Sequence, residues 1–299
     1  MPSPAKPFPY FRAAAAAVAV GAAATLTIQA YRRPLETMNA LIRASMLLGG
    51  MREEICEVNG IPIHYYCAGR RGTPIILIHG LGNSAEVWAA LMWELSKEYL
   101  VYALDLPGFG KTPLAPEGTN IQTHVLYLER FLDALGYPRI SLVGNSLGGW
   151  IATRFAVDYP QRTRHLYLLN SAGLRRENWK APQAADHAAA RESMARILGY
   201  ALPLPAFVLD AVVRVSQMPA YAGFIKHYDT QEELDTVLSQ VRVPTTIIWG
   251  ERDGLFPIAC ARDFHAGIAS SELILLPHVG HMPQVQVPKT VAKIISRPS

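Results

Sequence analysis

Apolar residues in this chain fall into short unbroken runs, separated by longer stretches in which they recur every three or four positions. Runs such as Ile75-Ile-Leu-Ile78, Thr245-Thr-Ile-Ile-Trp249 and Leu273-Ile-Leu-Leu276 lack polar alternation, the mark of strands buried on both faces. Such runs predict strands near 74–79, 100–105, 139–144, 165–170, 244–249 and 272–276. Ahead of them, residues 53–67 around Asn59-Gly60 predict a hairpin whose turn pairs residue 58 with 61. Ile121–Leu135 has helical spacing, with Asn120 or Thr119 as its cap and Gly136 as its stop. Strands alternating with helices imply the α/β class, a mostly parallel sheet covered by helices on both faces.

Two stretches break that alternation. Residues 174–240 hold no buried-strand run and are helical by pattern, an insertion into a core formed by 51–173 and 241–299. Most of the insertion's large apolar side chains are expected to form its own core. The rest of Met194, Ile197, Leu198, Tyr200, Leu202, Leu204, Phe207, Val208, Met218, Tyr221 and Phe224 would face a cleft and give it an apolar tunnel. Residues 1–50 differ in kind. Lys6 and Arg12 precede Ala13 to Ala30, which as a helix would span about 27 Å, short of a bilayer core of roughly 30 Å. We expect a membrane anchor there or, with Ala22-x-Ala24 as a processing site, a cleaved export segment. Leu35, Met38, Leu41, Ile42 and Met46 share a helical face that would lie on a membrane or, the commoner outcome, pack on the core.

Composition narrows the classes. With 299 residues, half of them apolar, the chain has ample material for a covered sheet. The net charge of +4 is spread out, with no basic run that suits nucleic acid, and the arginine pairs at 70–71 and 175–176 read as solvated faces. Three cysteines give no framework. The hairpin register sets Cys56 opposite Ile63 and leaves Cys67 beyond the facing strand. No metal-ligand spacing appears, and no cofactor is expected.

The most informative segment is Gly144-Asn145-Ser146-Leu147-Gly148, at the step from a strand to a helix. A serine between two glycines there is the nucleophile elbow, a turn so tight that a side chain at 144 or 148 would crowd it. A nucleophilic serine needs a base, and the base needs an anion to orient it. Asp253 follows the strand at 244–249 as the orienting acid, and His281 follows the strand at 272–276 as the general base. Their rivals are Glu251, too close to its strand end, and His278, which lacks the adjacent glycine. An oxyanion needs two backbone donors. Leu147, after the serine, supplies one, and Leu81, after His79-Gly80, supplies the second, with His79 bracing that loop.

His79-Gly-Leu-Gly82, Asp105-Leu-Pro-Gly-Phe-Gly110, Gly144-Asn-Ser-Leu-Gly148, Gly250-Glu-Arg-Asp253 and Gly280-His281 together resemble the serine α/β-hydrolases over residues 51–299. The resemblance implies an α/β-hydrolase fold in which residues 174–240 form a helical cap. His-Gly-Leu-Gly-Asn-Ser…Trp88 and Asn170-Ser-Ala-Gly-Leu174 are most similar to bacterial esterases and lipases that resemble monoacylglycerol lipases. That likeness implies cofactor-free hydrolysis of small-molecule or lipid esters. Carbon–carbon hydrolases of ring-cleavage products also carry Gly-Asn-Ser-x-Gly-Gly, so they remain an alternative, as does a non-catalytic binding role. Dehalogenases and epoxide hydrolases place aspartate where Ser146 stands.

Overall fold

The computed structural model describes residues 34–176, 182–228 and 233–297. The expected anchor or export segment, 13–30, lies outside the described residues. Among those described, no helix is long and apolar enough to cross a membrane.

The chain divides into a short unit ending at Ser45 and a main unit from Met46 onward. Helix α1, Pro34–Leu48, is followed by the hairpin β1 (Arg52–Val58) and β2 (Ile61–Ala68), then β3 (Pro74–Ile78). Next come α2 (Ala89–Leu95), β4 (Leu100–Leu104), α3 (Ile121–Ala134), β5 (Ile140–Asn145), α4 (Leu147–Asp158) and β6 (Thr163–Leu169). The insertion carries α5 (His187–Leu198), α6 (Ala206–Ser216) and α7 (Pro219–Lys226). Then β7 (Thr245–Gly250), α8 (Ile258–Gly267), β8 (Ser271–Leu276), α9 (Pro283–Gln286) and α10 (Pro288–Ile295) complete it.

Among the described residues, eight strands form one sheet in the order β1-β2-β4-β3-β5-β6-β7-β8. Only the β1–β2 and β2–β4 pairings are antiparallel. Because strand side chains alternate, Ile76 and Ile78 join one core with α3, α4 and α8, while Ile75 and Leu77 join a second with α2 and α10. Both faces are covered, as a parallel sheet requires. The strands and the capped helix lie where the pattern puts them. Asn120 Oδ1 accepts from Thr123 N at 2.8 Å, and Gly136 has φ +73°.

Two expectations need correction. The hairpin register holds at Cys56↔Ile63, but Cys67 faces Arg52, because β1 begins one residue earlier than the pattern suggests. Among the described residues, the insertion does not build a large core of its own, since only Ala184, Ala190 and Leu209 are buried together there. It is short, and Pro203 and Pro205 lie in the link between α5 and α6, which share that small core. Tyr221 and Phe224 instead bury themselves in the main core.

One buried group works against stability at low pH. Among the described residues, neither ring nitrogen of His124 has a hydrogen-bond partner. Burial, with His79 nearby, pushes its pKa down to about 3. The unfolded chain takes up that proton near pH 6.5 and the folded chain does not, so stability falls as pH drops between those values. His124→Leu removes the loss. In urea titrations the variant should gain on the parent by about 2 kcal/mol between pH 8 and pH 5.

Candidate active site

The site is built from four loops that leave the carboxyl ends of β3, β5, β7 and β8. At the first, β5 turns into α4 so sharply that Ser146 takes φ +56° and ψ −119°. Few non-glycine residues are held there, and the neighbours over-determine it. A Cβ on Gly144 would lie 2.2 Å from the carbonyl oxygen of Gly148, and one on Gly148 would lie 2.0 Å from that of Ile78. Ser146 N donates to Leu169 O at 3.1 Å, and Ser146 O accepts from Gly149 N at 2.9 Å and Ala172 N at 3.0 Å. Backbone fixed on both sides keeps the serine out of the sheet.

Asp253 and His281 converge as the spacing predicts. His281 Nδ1 meets Asp253 Oδ2 at 2.8 Å, and both residues are buried. The other Asp253 oxygen accepts from Leu255 N at 2.7 Å and Phe256 N at 3.1 Å. A carboxylate that only accepts makes His281 Nδ1 the donor, so Nε2 is left as a proton acceptor. The rivals point elsewhere: Glu251 is exposed, and His278 Nδ1 accepts from Arg252 Nη2 at 2.9 Å at the surface.

The β3 loop is oriented by a buried histidine. His79 Nε2 accepts from Leu106 N at 3.1 Å, so Nδ1 bears the proton and donates to Gly80 O at 2.8 Å. Burial, the largest influence on its pKa, drives it down and keeps the ring neutral. With Gly80 O turned toward His79, a trans peptide directs Leu81 N–H the opposite way. The loop also approaches the nucleophile closely, since a Cβ on Gly80 would lie 3.1 Å from that of Ser146.

Asp105 ties this loop to the next. It accepts from Ala85 N at 2.6 Å, Lys111 N at 2.8 Å and His64 Nδ1 at 2.7 Å. Burial alone would raise its carboxyl, but the His64 hydrogen bond, His79 and the two backbone donors outweigh it and hold it low.

Three positioning residues escaped the sequence reading. Asn170, at φ +44°, donates to Asp253 Oδ2 at 2.6 Å and accepts from Gly250 N at 3.0 Å. Asn145 donates to His281 O at 3.0 Å and accepts from Gln284 Nε2 at 2.9 Å, which ties the histidine loop to the elbow strand. An asparagine directly after a buried strand, beside small residues, was the available signal for Asn170. Nothing local marks Gln284.

The insertion grips both loops through the end of α5. Ile197 O accepts from His281 N at 2.7 Å, Arg196 O from Gly254 N at 2.9 Å, and Leu198 O from Gln286 Nε2 at 3.0 Å. A Cβ on Gly280 would sit 2.4 Å from Leu198 O.

Ser146, His281, Leu81 and Leu147 line one cavity of about 70 Å³. Its walls are otherwise mainly apolar, with Trp150, Ile197, Tyr221, Phe224, Leu255 and Phe256 prominent. Among the described residues that line it, none is lysine or arginine.

Known proteins agree with this architecture. The family profile described as alpha/beta hydrolase fold matches residues 73–193. A curated relative, 2-hydroxy-6-oxo-2,4-heptadienoate hydrolase of Pseudomonas putida, is 26% identical over 281 residues, covering 88% of this chain and 98% of its own. A solved structure of a bacterial membrane phospholipase A superposes with a TM-score of 0.79 at 24% identity, covering 96% of each chain. The meta-cleavage product hydrolase of Pseudomonas fluorescens IP01 gives 0.73 at 23% identity, covering 81% of this chain and 95% of that one. The chain has the α/β-hydrolase fold that these proteins share.

Proposed function

We propose that the protein is a serine carboxylic ester hydrolase that cleaves apolar acyl esters, monoacylglycerols among them, through an acyl-enzyme on Ser146. The cavity carries this reading, because it offers a serine and a histidine an apolar wall with no described cation. The substrate of the heptadienoate hydrolase is, by its name, a carboxylate. Burying such a group unpaired costs several kcal/mol, whereas an acyl chain gains from the same walls.

In the proposed cycle His281 Nε2 takes the Ser146 proton as the hydroxyl oxygen attacks the ester carbonyl. Asp253 holds the imidazole in the required tautomer and stabilises its charged form. Leu81 and Leu147 N–H groups receive the developing oxyanion, each worth about 3 kcal/mol in comparable sites. The alcohol leaves with the proton from His281, and water then repeats the attack on the acyl group. No step calls for a cofactor or metal.

A second reading, carbon–carbon bond hydrolysis, is favoured by the names of the relatives. Parallel assays with p-nitrophenyl butyrate and a vinylogous dienoate separate the two. The ester should win in kcat/KM by at least about 100-fold, given the cost of an unpaired buried carboxylate. The reverse order would assign the chain to the second reading. Absence of fluorophosphonate labelling at Ser146 would leave a binding role.

Trp150 follows Ser146 by one helical turn and faces Phe224 at 6.2 Å and Tyr228 at 5.6 Å, both edge-on. All three line the cavity. Trp150→Leu should therefore admit longer acyl groups. The ratio of kcat/KM for octanoate over butyrate esters is expected to rise by about tenfold, the gain from about two more methylenes accommodated at about 0.8 kcal/mol each.

The same reading places the protein at a membrane through residues 13–30, or beyond one if that segment is cleaved. A resemblance in fold to a membrane phospholipase A is in keeping with it. At high salt, deleting residues 1–33 should move the protein from the membrane fraction to the soluble one.

A further inference from the structure

A groove that shares no lining residue with the catalytic cavity has a different character. It encloses about 550 Å³ and is lined by Arg52, Arg70, Arg71 and Lys97, with glycine, alanine and serine making up the rest. Thus the charged side chains of its lining are all cations. Among the described residues, Arg52 and Lys97 have only surface ion pairs, to Glu54 and Glu94, which hold little energy in water. Arg70 and Arg71 are exposed and have no ion pair among the described residues. Sequence alone reads that pair as an ordinary solvated face.

The arginine pair is held in place by backbone. It sits in Gly69-Arg70-Arg71-Gly72, whose two glycines have φ +84° and φ +110°. A Cβ at Gly69 would lie 2.1 Å from Tyr99 O, and one at Gly72 would lie 2.0 Å from Glu98 O. Only glycine permits so close an approach, so the loop is clamped onto the 96–99 turn that presents Lys97. Preformed clusters of this kind bind phosphate-bearing groups without first ordering a loop.

The surroundings select the source of the phosphate. Leu48, next to the lining residue Gly49, is 89% exposed, and Trp93, one turn before the lining residue Ser96, is 51% exposed. Large apolar side chains and a tryptophan beside cations suit the boundary between headgroups and acyl chains. We propose that this groove docks the main unit on an anionic bilayer, with lipid phosphates seated among Arg52, Arg70, Arg71 and Lys97. The contact is separate from any anchor at 13–30, and it does not depend on which bond the active site cleaves.

Vesicle flotation of the full chain tests it, comparing phosphatidylcholine alone with mixtures containing phosphatidylglycerol. Anionic lipid should raise the parent's partition by about tenfold or more at low salt, and the gain should fade as salt screens it. Arg70→Glu with Arg71→Glu should abolish that gain while leaving partition onto pure phosphatidylcholine unchanged. Arg164→Glu with Arg175→Glu alters net charge equally and should leave most of the gain. An equal loss in both double variants, or no gain in the parent, overturns the proposal. Displacement from vesicles by millimolar inorganic phosphate at constant ionic strength would assign the groove to a free anion and overturn it as well. Matching urea midpoints for the two double variants exclude unfolding as the cause.

Discussion

Replacing Ser146 with alanine is expected to lower kcat for p-nitrophenyl butyrate by about 10⁴-fold or more, with the urea midpoint unchanged. The attacking oxygen is lost, while the turn that presents it is held by Gly144, Gly148 and the hydrogen bonds of the Ser146 backbone. The oxyanion donors and the apolar walls survive, so a small residual rate over water should persist. Asp253→Asn should cost about 10⁴-fold by a different route. The amide can no longer accept from His281 Nδ1 in the same way, and the wrong tautomer places a proton on Nε2. Fluorophosphonate labelling distinguishes the two, since it should vanish in the first variant and slow in the second. Parent-like turnover in either variant would refute the triad assignment.

The largest expected effect on folding lies two residues from the nucleophile. Gly148→Ala puts a methyl 2.0 Å from the carbonyl oxygen of Ile78 and 2.6 Å from its carbon, both on the central strand β3. Neither atom belongs to a flexible side chain, so the helix must shift or the strand must give way. We expect a loss of about 3–5 kcal/mol, together with most of the activity. Gly60→Ala is the contrasting case. It has φ +80° but nothing within 4 Å, so it should cost only about 1 kcal/mol. Urea midpoints of the two variants measure the difference between crowding and conformational strain.

The contrast between those glycines shows what the chain discloses before it folds. Unbroken apolar runs disclose buried strands, because a strand covered on both faces has no polar side to display. The elbow is legible because its steric demands fall on residues adjacent in sequence. Asp253 and His281 are legible because each follows a strand. Asn170 and Gln284 are not, since their roles depend on partners 83 and 139 positions away that only the closed sheet brings near. The insertion was misread for a related reason. Pattern alone cannot say whether Tyr221 and Phe224 pack among their own helices or against Trp150, and here they share the main core with it.

Three consecutive carbonyls at the end of α5 clasp the acid and base loops from above. This segment is therefore not a detachable module. A chimera that imports another cap with splice points inside 196–199 should misplace the imidazole and carboxylate, however well its own helices fold. Grafts intended to change substrate preference need their junctions set so that this short stretch stays native.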